Sequence, residues 1–457
     1  MANIHNAPTT SFIARVVCGP THAFFFGVRM KSLLATIRHL LVLGTILLAC
    51  AGASAESLNQ YSRGLRDALV EAATNNPEIL AARSEVEAAQ YRLASAGALD
   101  DPMLEAGIID LPTRSLSFNR EDMTQKMIGL SQRLPYPGKR ALRESIAGRE
   151  ADARRFTSHE VANRVSRDVK RTYFDLALAR ESIRLTEKNR RVLAQFLDTA
   201  ESRYVVGQAT QADVLKAQTQ VAKMTDELLK LAREQRNMEA ELNRALGRGD
   251  DRQSPNSELP VLRDVTINLE EMRVQARSSR PQLQSLQSAI SRSDNAVELA
   301  RKEYFPDFDV KLSYGQRDRT SLGERREDMI SLTVAINLPV WGKQKVEPRV
   351  LEAIAMRNLA TSMVRGFENE INARLRQEIS NQEQSFKSAR LYENVVLPQA
   401  RLTVESTLIA YQVNRVDFFT LLDNQMTVFN YEIAYVSAVV NQAKALAEIE
   451  FVIGKQL

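Results

Sequence analysis

The chain has 457 residues, of which 26% are charged and 6% are aromatic, with only 18 glycines and 14 prolines. This composition is typical of long helices. The formal net charge is +5, but residues 1–55 supply four basic residues and no acidic residue. The remaining 57 basic residues stand against 56 acidic residues, so the sequence predicts no strongly basic surface and no nucleic acid partner.

The first 55 positions have the pattern of a secretory signal. A basic segment precedes the apolar run "LLVLGTILLACAGASA", which ends in an Ala-Ser-Ala cleavage pattern at Ala55. The apolar run is too short to span a bilayer comfortably. We expect residues 1–55 to be a signal region with Met30 as the true start. The alternative interpretation is that "LLAC" is a lipidation signal and that Cys50 carries the lipid.

The sequence offers almost no residues for catalysis or metal binding. Cys18 and Cys50 are the only cysteines, and both lie in the signal region, while His159 is the only histidine that follows it. No thiol or imidazole cluster is therefore expected to hold a metal ion. We predict that the protein is not an enzyme, has no cofactor and has no metal site.

The chain carries an internal duplication. Gly342 lies 204 positions after Gly138, and Tyr411 lies 207 positions after Tyr204. The change of offset predicts a three-residue adjustment inside one long helix. The predicted parts are a first repeat at 56–248, a linker at 249–266 and a second repeat at 267–457.

Each repeat is predicted to contain a helix, two strands, a long helix and a second helix. In the first repeat we expect helices over about 61–98, 140–204 and 211–246, with strands in 103–110 and 125–134. In the second we expect helices over about 269–303, 345–411 and 418–453, with strands in 307–315 and 328–338. Apolar residues spaced alternately by three and four along 214–245 and 421–452 predict a coiled-coil seam, which we interpret as ordinary core.

The strands alternate between apolar and polar residues. In "DMISLTVAINL", Ile330, Leu332, Val334 and Ile336 fall on one face, and serine, threonine and asparagine fall on the other. Two interpretations fit this period: a small soluble sheet packed on helices, or strands of a membrane barrel. In lipid, four strands with open edges leave backbone groups unpaired, so copies of the chain would have to share one barrel. Two copies are the minimum, and three would give twelve strands.

The phrases "LPYPGKR" and "LPVWGKQ" stand where a strand changes into a helix. Proline ends a strand ladder because it lacks an N–H, and glycine permits a sharp change of backbone direction. Aromatic and lysine side chains at these points suit a membrane interface, where lysine can snorkel toward headgroups. The candidate junction residues are Pro135, Gly138, Lys139, Pro339, Trp341, Gly342 and Lys343.

The chain resembles the TolC-like outer membrane efflux family over nearly its whole mature length. The resemblance is carried by "NNPEILAARSEVEAAQYRLASAGALDDP", "LSQRLPYPGKR", "RYVVGQATQADVLKAQ", "LNRALG", "LPVWGK", "VVLPQAR" and "ALAEIEFVIG". The form "QRLPYPGKR" is most similar to the CzcC/CusC-like branch, which serves heavy-metal efflux.

The resemblance implies a mixed α/β membrane protein that assembles as a homotrimer. Three chains would form a 12-stranded β-barrel in the outer membrane on a 12-helix α-barrel tunnel in the periplasm. The implied function is a passive exit duct, with heavy-metal cations as cargo. Its implied partners are outer membrane lipid, a periplasmic adaptor protein and an inner-membrane resistance-nodulation-division pump. Drug efflux or type I secretion remains an alternative within the family, and a soluble periplasmic coiled-coil scaffold is an alternative outside it.

The resemblance also implies a periplasmic gate at the tips of the helix hairpins. The family's second hairpin carries an Asp-x-x-Asp pattern, of which the second acid matches Asp423 and the first falls on Thr420. We therefore consider Asp417 as a substitute acid. The family's arginine partner falls on Val416, next to Arg415. The remaining candidate gate residues are the first hairpin's aspartate, Asp213, the second hairpin's tyrosine, Tyr411, and its counterpart in the first repeat, Tyr204.

Overall fold

The computed structural model describes residues 61–249, 252 and 254–457. The predicted signal region, Met30 and Cys50 lie outside the described residues. Contacts group the described residues into one unit that begins at Tyr61 and ends at Leu457.

The two halves of the described chain have the same order of elements. The first contains α1 (Arg63–Asn75), α2 (Pro77–Ala96), β1 (Met103–Ile109), β2 (Gln125–Leu134), α3 (Lys139–Val205) and α4 (Gln211–Leu246). The second contains α5 (Leu269–Ser279), α6 (Pro281–Lys302), β3 (Phe308–Gln316), β4 (Met329–Ile336), α7 (Gly342–Leu391), a π-helical turn (Tyr392–Val396), α8 (Leu397–Gln412) and α9 (Phe418–Ile453). Helix α3 has 67 residues and is therefore about 100 Å long.

The first helix of each repeat is broken, where we had predicted one continuous helix. The breaks fall at Asn76 and Arg280, which are 204 positions apart and directly precede Pro77 and Pro281. Asn76 and Arg280 are extended, with ψ of 123° and 114°. The ring of a proline excludes the helical conformation at the residue before it, yet the proline itself fits the first turn of the next helix. This explains why both repeats break at the same place.

The long helix of the second repeat is also interrupted, by the π-helical turn at Tyr392–Val396. Pro398 lies two residues after this turn and has no N–H to donate to the carbonyl group four residues earlier, at Asn394. Prolines and π-helical turns both mark places where the regular shape of a helix changes. The turn lies in the interval where the repeat offset changes from 204 to 207, so the predicted adjustment falls in the same stretch of helix.

The strands form one antiparallel sheet in the order β1-β2-β3-β4. Its register aligns Leu104, Leu130, Leu312 and Leu332 in one row across all four strands. Their exposed fractions are 70%, 50%, 54% and 69%. The predicted alternation is confirmed, since the opposite face of the same strands carries Ser131, Lys311, Ser313 and Thr333 among others. The apolar face is thus uncovered in the single chain.

The helices pack into bundles with separate cores. Helix α3 contacts α2, α4, α6 and α9, and helix α7 contacts α6 and α9. The predicted seam is core, since Ala217, Met224 and Leu421 are buried in the cluster nearest the hairpin turns. None of the helices in the described part of the chain is both long enough and apolar enough to cross a membrane.

Candidate functional site

The two turns that join α3 to α4 and α8 to α9 have the same geometry. Gly207 and Asn414, 207 positions apart, both have a left-handed backbone, with φ of +73° and +57°. The N–H of Gln208 donates to the carbonyl of Arg203 at 2.8 Å, and the equivalent bond in the second turn is also 2.8 Å long. This is the arrangement that commonly ends a helix. The duplicated sequence therefore builds two similar hairpin tips.

The acidic residues predicted at the tips cap the helices that follow the turns. Asp213 accepts hydrogen bonds from the backbone and side chain of Thr210, both at 2.9 Å, at the start of α4. Asp417 accepts from the backbone N–H of Thr420 at 2.8 Å at the start of α9. Both turns therefore use a threonine and an aspartate three positions apart. The threonine comes first in the first repeat, and the aspartate comes first in the second. Hydrogen bonds from Thr420, with a contribution from Lys216, hold the pKa of Asp417 below its usual range.

Asp423 differs from these capping residues. Its side chain is exposed on the second turn of α9. Its position in the first repeat is occupied by Lys216, whose Nζ lies 4.4 Å from the ring centroid of Phe419. The cation on α4 therefore lies against the first turn of α9, while the carboxylate of Asp423 on α9 is exposed in the single chain.

Tyr411 is buried between the hairpins, whereas its counterpart Tyr204 is exposed. The ring of Tyr411 packs against the ring of Phe418, with the two centroids 5.4 Å apart. The central guanidinium carbon of Arg203 lies 4.7 Å from the centroid of the Tyr411 ring. Burial raises the pKa of Tyr411. The positive charge of Arg203 opposes this effect, and the carboxylate of Asp213 adds to it. The Tyr411 hydroxyl is buried and has no hydrogen-bond partner among the described residues.

The arginine that connects the two hairpins is not the one that we predicted. The side chain of Arg415 is exposed on the second turn, whereas Arg203, which we did not select, connects the hairpins. Arg203 stands in the motif "RYVVGQAT", so the signal was present, but nothing in the sequence indicated that its partners lie 208–211 positions away.

Deeper in the bundle, Glu432 on α9 joins three helices. Its carboxylate accepts from Lys188 on α3 at 3.0 Å and from Arg401 on α8 at 2.8 Å. Burial alone would raise the pKa of Glu432, but the hydrogen bonds from Arg401 and Lys188 outweigh it and leave the pKa below its usual value. Sequence reasoning missed this group, because its members are separated by up to 244 positions.

The first strand–helix junction is held by an ion pair that we did not predict. Gly138 has φ of +89° and directly precedes α3. The Nζ of Lys139 donates to Asp307 at 2.7 Å and to the carbonyl of Phe305 at 3.0 Å. The predicted snorkelling of Lys139 toward headgroups is wrong, since its side chain is only 6% exposed. Its partner could not be foreseen because Asp307 belongs to the other repeat.

Around this ion pair, Tyr136 stacks on Phe305 with centroids 4.6 Å apart. Tyr136 is half-buried, and Pro135 next to it is half-buried as well. The first junction is therefore a packed contact between the repeats.

The second junction is open. Pro339, Trp341 and Lys343 are exposed, and Trp341 has 68% of its surface free. Gly342 is half-buried, and a Cβ there would come within 3.1 Å of the ring of Tyr304. The two junctions therefore share their sequence pattern and differ in their surroundings.

The polar face of the sheet carries a charge pair that crosses a strand. Lys311 on β3 reaches over Gly129 on β2 to bind Glu105 on β1. A Cβ at Gly129 would lie 3.3 Å from Cε of Lys311, so the glycine leaves the space in which the lysine stem runs. Among the described residues, no group of three or more histidine, cysteine, aspartate or glutamate side chains has an arrangement that could hold a metal ion.

The chain is similar to several known proteins. Residues 68–248 match the family model of the outer membrane efflux proteins. The chain is 21% identical over 399 residues to the cobalt-zinc-cadmium resistance protein CzcC of Cupriavidus metallidurans. This match covers 86% of the present chain and 90% of CzcC. It is 22% identical over 388 residues to the pyoverdine export outer membrane protein OpmQ of Pseudomonas putida, covering 79% of this chain and 80% of OpmQ.

The fold is that of a solved outer membrane protein. VceC from Vibrio cholerae superimposes with a TM-score of 0.74 at 16% identity, covering 87% of this chain and 98% of VceC. The family model covers the first repeat directly, and the second repeat has the same order of elements. Residues 68–248 thus match the outer membrane efflux protein family, and the chain is similar over most of its length to CzcC.

Proposed function

We propose that the chain is the outer membrane channel of a tripartite efflux system and that it works as a trimer. The observation that carries this proposal is the sheet. Its order leaves β1 and β4 without a second neighbour, and its apolar face is exposed. Open strand edges are not tolerated in lipid, so pairing of β4 with β1 of the next chain would satisfy both edges. Three copies would close a barrel of twelve strands.

In this proposal the helices continue the barrel as a tunnel across the periplasm. Helix α3 has 67 residues, so the tunnel would be about 100 Å long. The hairpin tips then form its periplasmic end, and we propose that the gate lies there. Asp423 would supply a ring of carboxylates, because its side chain is exposed and not used as a cap. Asp213 and Asp417 would instead fix the helix starts that hold the ring in position.

The channel is proposed to be passive. The energy for transport would then be supplied by another protein. The partners that fit are an inner-membrane resistance-nodulation-division pump and a periplasmic adaptor that joins the pump to the hairpin tips. The membrane-embedded part would lie in the outer membrane and the helices in the periplasm.

We propose heavy-metal cations as the exported substrate, because CzcC is a cobalt-zinc-cadmium resistance protein. The second candidate is pyoverdine or a drug, because OpmQ is a pyoverdine export outer membrane protein that is 22% identical to this chain. A strain that lacks the chain distinguishes the two candidates. Sensitivity to zinc, cobalt or cadmium that is restored by the gene supports metal export, and unchanged metal sensitivity with impaired pyoverdine or drug export supports the second candidate.

Fractionation tests the proposal as a whole. The mature protein should accompany the outer membrane and migrate as a trimer after extraction in mild detergent. A soluble monomer in the periplasmic extract would contradict the proposal and favour the scaffold alternative.

A further inference from the structure

Two methionine sulfurs meet at one buried amide inside the helix bundle. The Nδ2 of Asn189 on α3 lies 3.4 Å from the Sδ of Met224 on α4 and 3.6 Å from the Sδ of Met426 on α9. Asn189 has only 3% of its surface exposed and Met224 only 6%, and Met426 is half-buried. Three helices therefore each contribute one side chain to a single point.

The amide of Asn189 is poorly satisfied at this point. Its oxygen accepts from the Nε2 of Gln425 at 2.8 Å, whereas its NH2 group donates to the two thioether sulfurs, which are weak acceptors. Rotating both amides by half a turn keeps the bond between Asn189 and Gln425 and directs the Asn189 oxygen toward the sulfurs. A thioether has no proton to donate to that oxygen. A cation bound between the oxygen and the sulfurs would satisfy all three atoms.

A cavity leads to the two sulfurs. It has a volume of about 510 Å³, lies between α3, α4 and α9, and is lined by Met224 and Met426. Asp226 and Lys230 also line it. Both are exposed, and they form an ion pair at 2.7 Å. The cavity thus gives an ion a path from the exposed surface of α4 to the buried sulfurs.

The donor atoms indicate which cation fits. Thioether sulfurs are soft ligands that select Cu(I) over harder cations, and methionine side chains are flexible enough to close around an ion. All three donors are neutral, so a divalent cation would keep its whole charge in a largely buried place, which is costly. The chain has no cysteine and only one histidine after residue 55, so few stronger soft ligands compete for the ion.

The duplication does not repeat this group of side chains. The counterpart of Met224 in the second repeat is Tyr431, and the counterpart of Met426 in the first repeat is Thr219. The two sulfurs come from opposite repeats and meet only because α4 and α9 both pack against α3. We therefore expect one such site in each chain.

We infer that Met224, Met426 and the side-chain oxygen of Asn189 form a binding site for a soft monovalent cation, Cu(I) or Ag(I). The inference goes beyond the proposed export function, because it concerns an ion held within the helix bundle and not a solute that passes through a tunnel. A bound ion would join α3, α4 and α9, and a ligand that binds only the folded state stabilises it.

Titration of the purified protein with Ag(I) in chloride-free buffer tests the site, since Ag(I) is stable in air where Cu(I) is oxidised. Calorimetry should show one saturable ion per chain, and Zn(II) should not compete for it. Loss of even an outer partner of a metal site commonly weakens binding about 10–100-fold. Met224→Leu and Met426→Leu should therefore each weaken Ag(I) binding about tenfold or more.

The matched control is Met363→Leu, which removes a methionine that is 52% exposed on α7. It should bind Ag(I) like wild type. Exchange of methionine for leucine nearly conserves volume and is usually tolerated in a core, so the site variants should fold. Ag(I) should raise the melting temperature of wild type and of the control, and it should raise that of the two site variants less.

X-ray absorption at the silver edge identifies the ligands without any substitution. The spectrum of wild type with one equivalent of Ag(I) should show sulfur neighbours. Wild type that binds no Ag(I) saturably, or whose bound silver has no sulfur neighbour, would overturn the inference. Wild-type affinity in a chain that carries both leucine substitutions would overturn it as well. None of these measurements depends on conductance or export, so their failure would leave the proposed function standing.

Discussion

Replacing Leu332 by arginine distinguishes a lipid-facing sheet from a soluble one. Leu332 lies near the middle of β4 and is 69% exposed in the single chain. It pairs with Leu312 and ends the row of four leucines across the sheet. If this face contacted water, the substitution would change stability by no more than about 0.5 kcal/mol, which is usual for exposed positions. It would even improve solubility.

The expected cost in a membrane is much larger. An arginine on the lipid face near the bilayer midplane costs about 2–4 kcal/mol per chain. In a trimer the three substitutions together would cost about 6–12 kcal/mol, which is comparable to the whole stability of an ordinary domain. Leu332→Arg should therefore abolish or greatly reduce assembly into the outer membrane.

The assay is the yield of trimer in outer membranes, read from unheated samples on a gel in mild detergent. The matched control is Thr333→Arg, which changes the adjacent residue on the polar face of the same strand. That variant should assemble at close to the wild-type level. Equal yields for the two arginine variants would refute the assignment of faces, and normal assembly of Leu332→Arg would refute a lipid contact at this row.

Three further substitutions test other parts of the structure. Asp423→Ala should reduce cation selectivity in bilayer recordings, while Asp417→Ser, which keeps a helix cap, should not; the reverse result would mean that Asp417 carries the carboxylate ring. The hydrogen bonds from Arg401 and Lys188 hold the pKa of Glu432 below its usual value, so its ion pairs stabilise the protein at neutral pH and lose their effect as the pH falls through the folded-state pKa. Near neutral pH, wild type should be about 1 kcal/mol more stable than Glu432→Gln, a small difference because Lys188 and Arg401 are both half exposed. The difference should vanish in acid, and a difference that persists there would exclude the ion pairs as its cause. Lys139→Ala should lower the free energy of unfolding of the trimer by about 1–3 kcal/mol, because it removes a buried charged hydrogen bond. Lys343→Ala, at the equivalent exposed position, should lower it little. Equal losses in the two variants would show that burial of the first junction does not contribute to stability.

Features that depend on neighbouring residues in sequence could be predicted. Helices α4 and α9 begin and end as expected, because their starts carry capping residues and their ends carry Gly247 and Gly454 in the left-handed conformation. The alternation in β4 gave the correct faces of the sheet, because side chains on a strand point to opposite sides with period two. The breaks before Pro77 and Pro281 were also within reach of sequence reasoning, but the hydrophobic pattern on both sides concealed them.

Features that depend on contacts between the repeats could not be predicted. Lys139 has the local pattern of a membrane-interface lysine, yet Asp307 from the other repeat buries it. Arg203 stands in the motif "RYVVGQAT", but the motif does not indicate its acceptors, because they are carbonyl groups that every residue possesses. Only the three-dimensional arrangement of the two hairpins shows that these carbonyls end a helix beside the arginine.

Bilayer recording of the purified wild-type protein tests the central claim, namely that this chain alone forms a channel through an outer membrane. The detergent-solubilised trimer should insert into a planar lipid bilayer and produce discrete, uniform conductance steps, with currents carried mainly by cations. A folded protein that remains monomeric and produces no conductance steps would contradict the account.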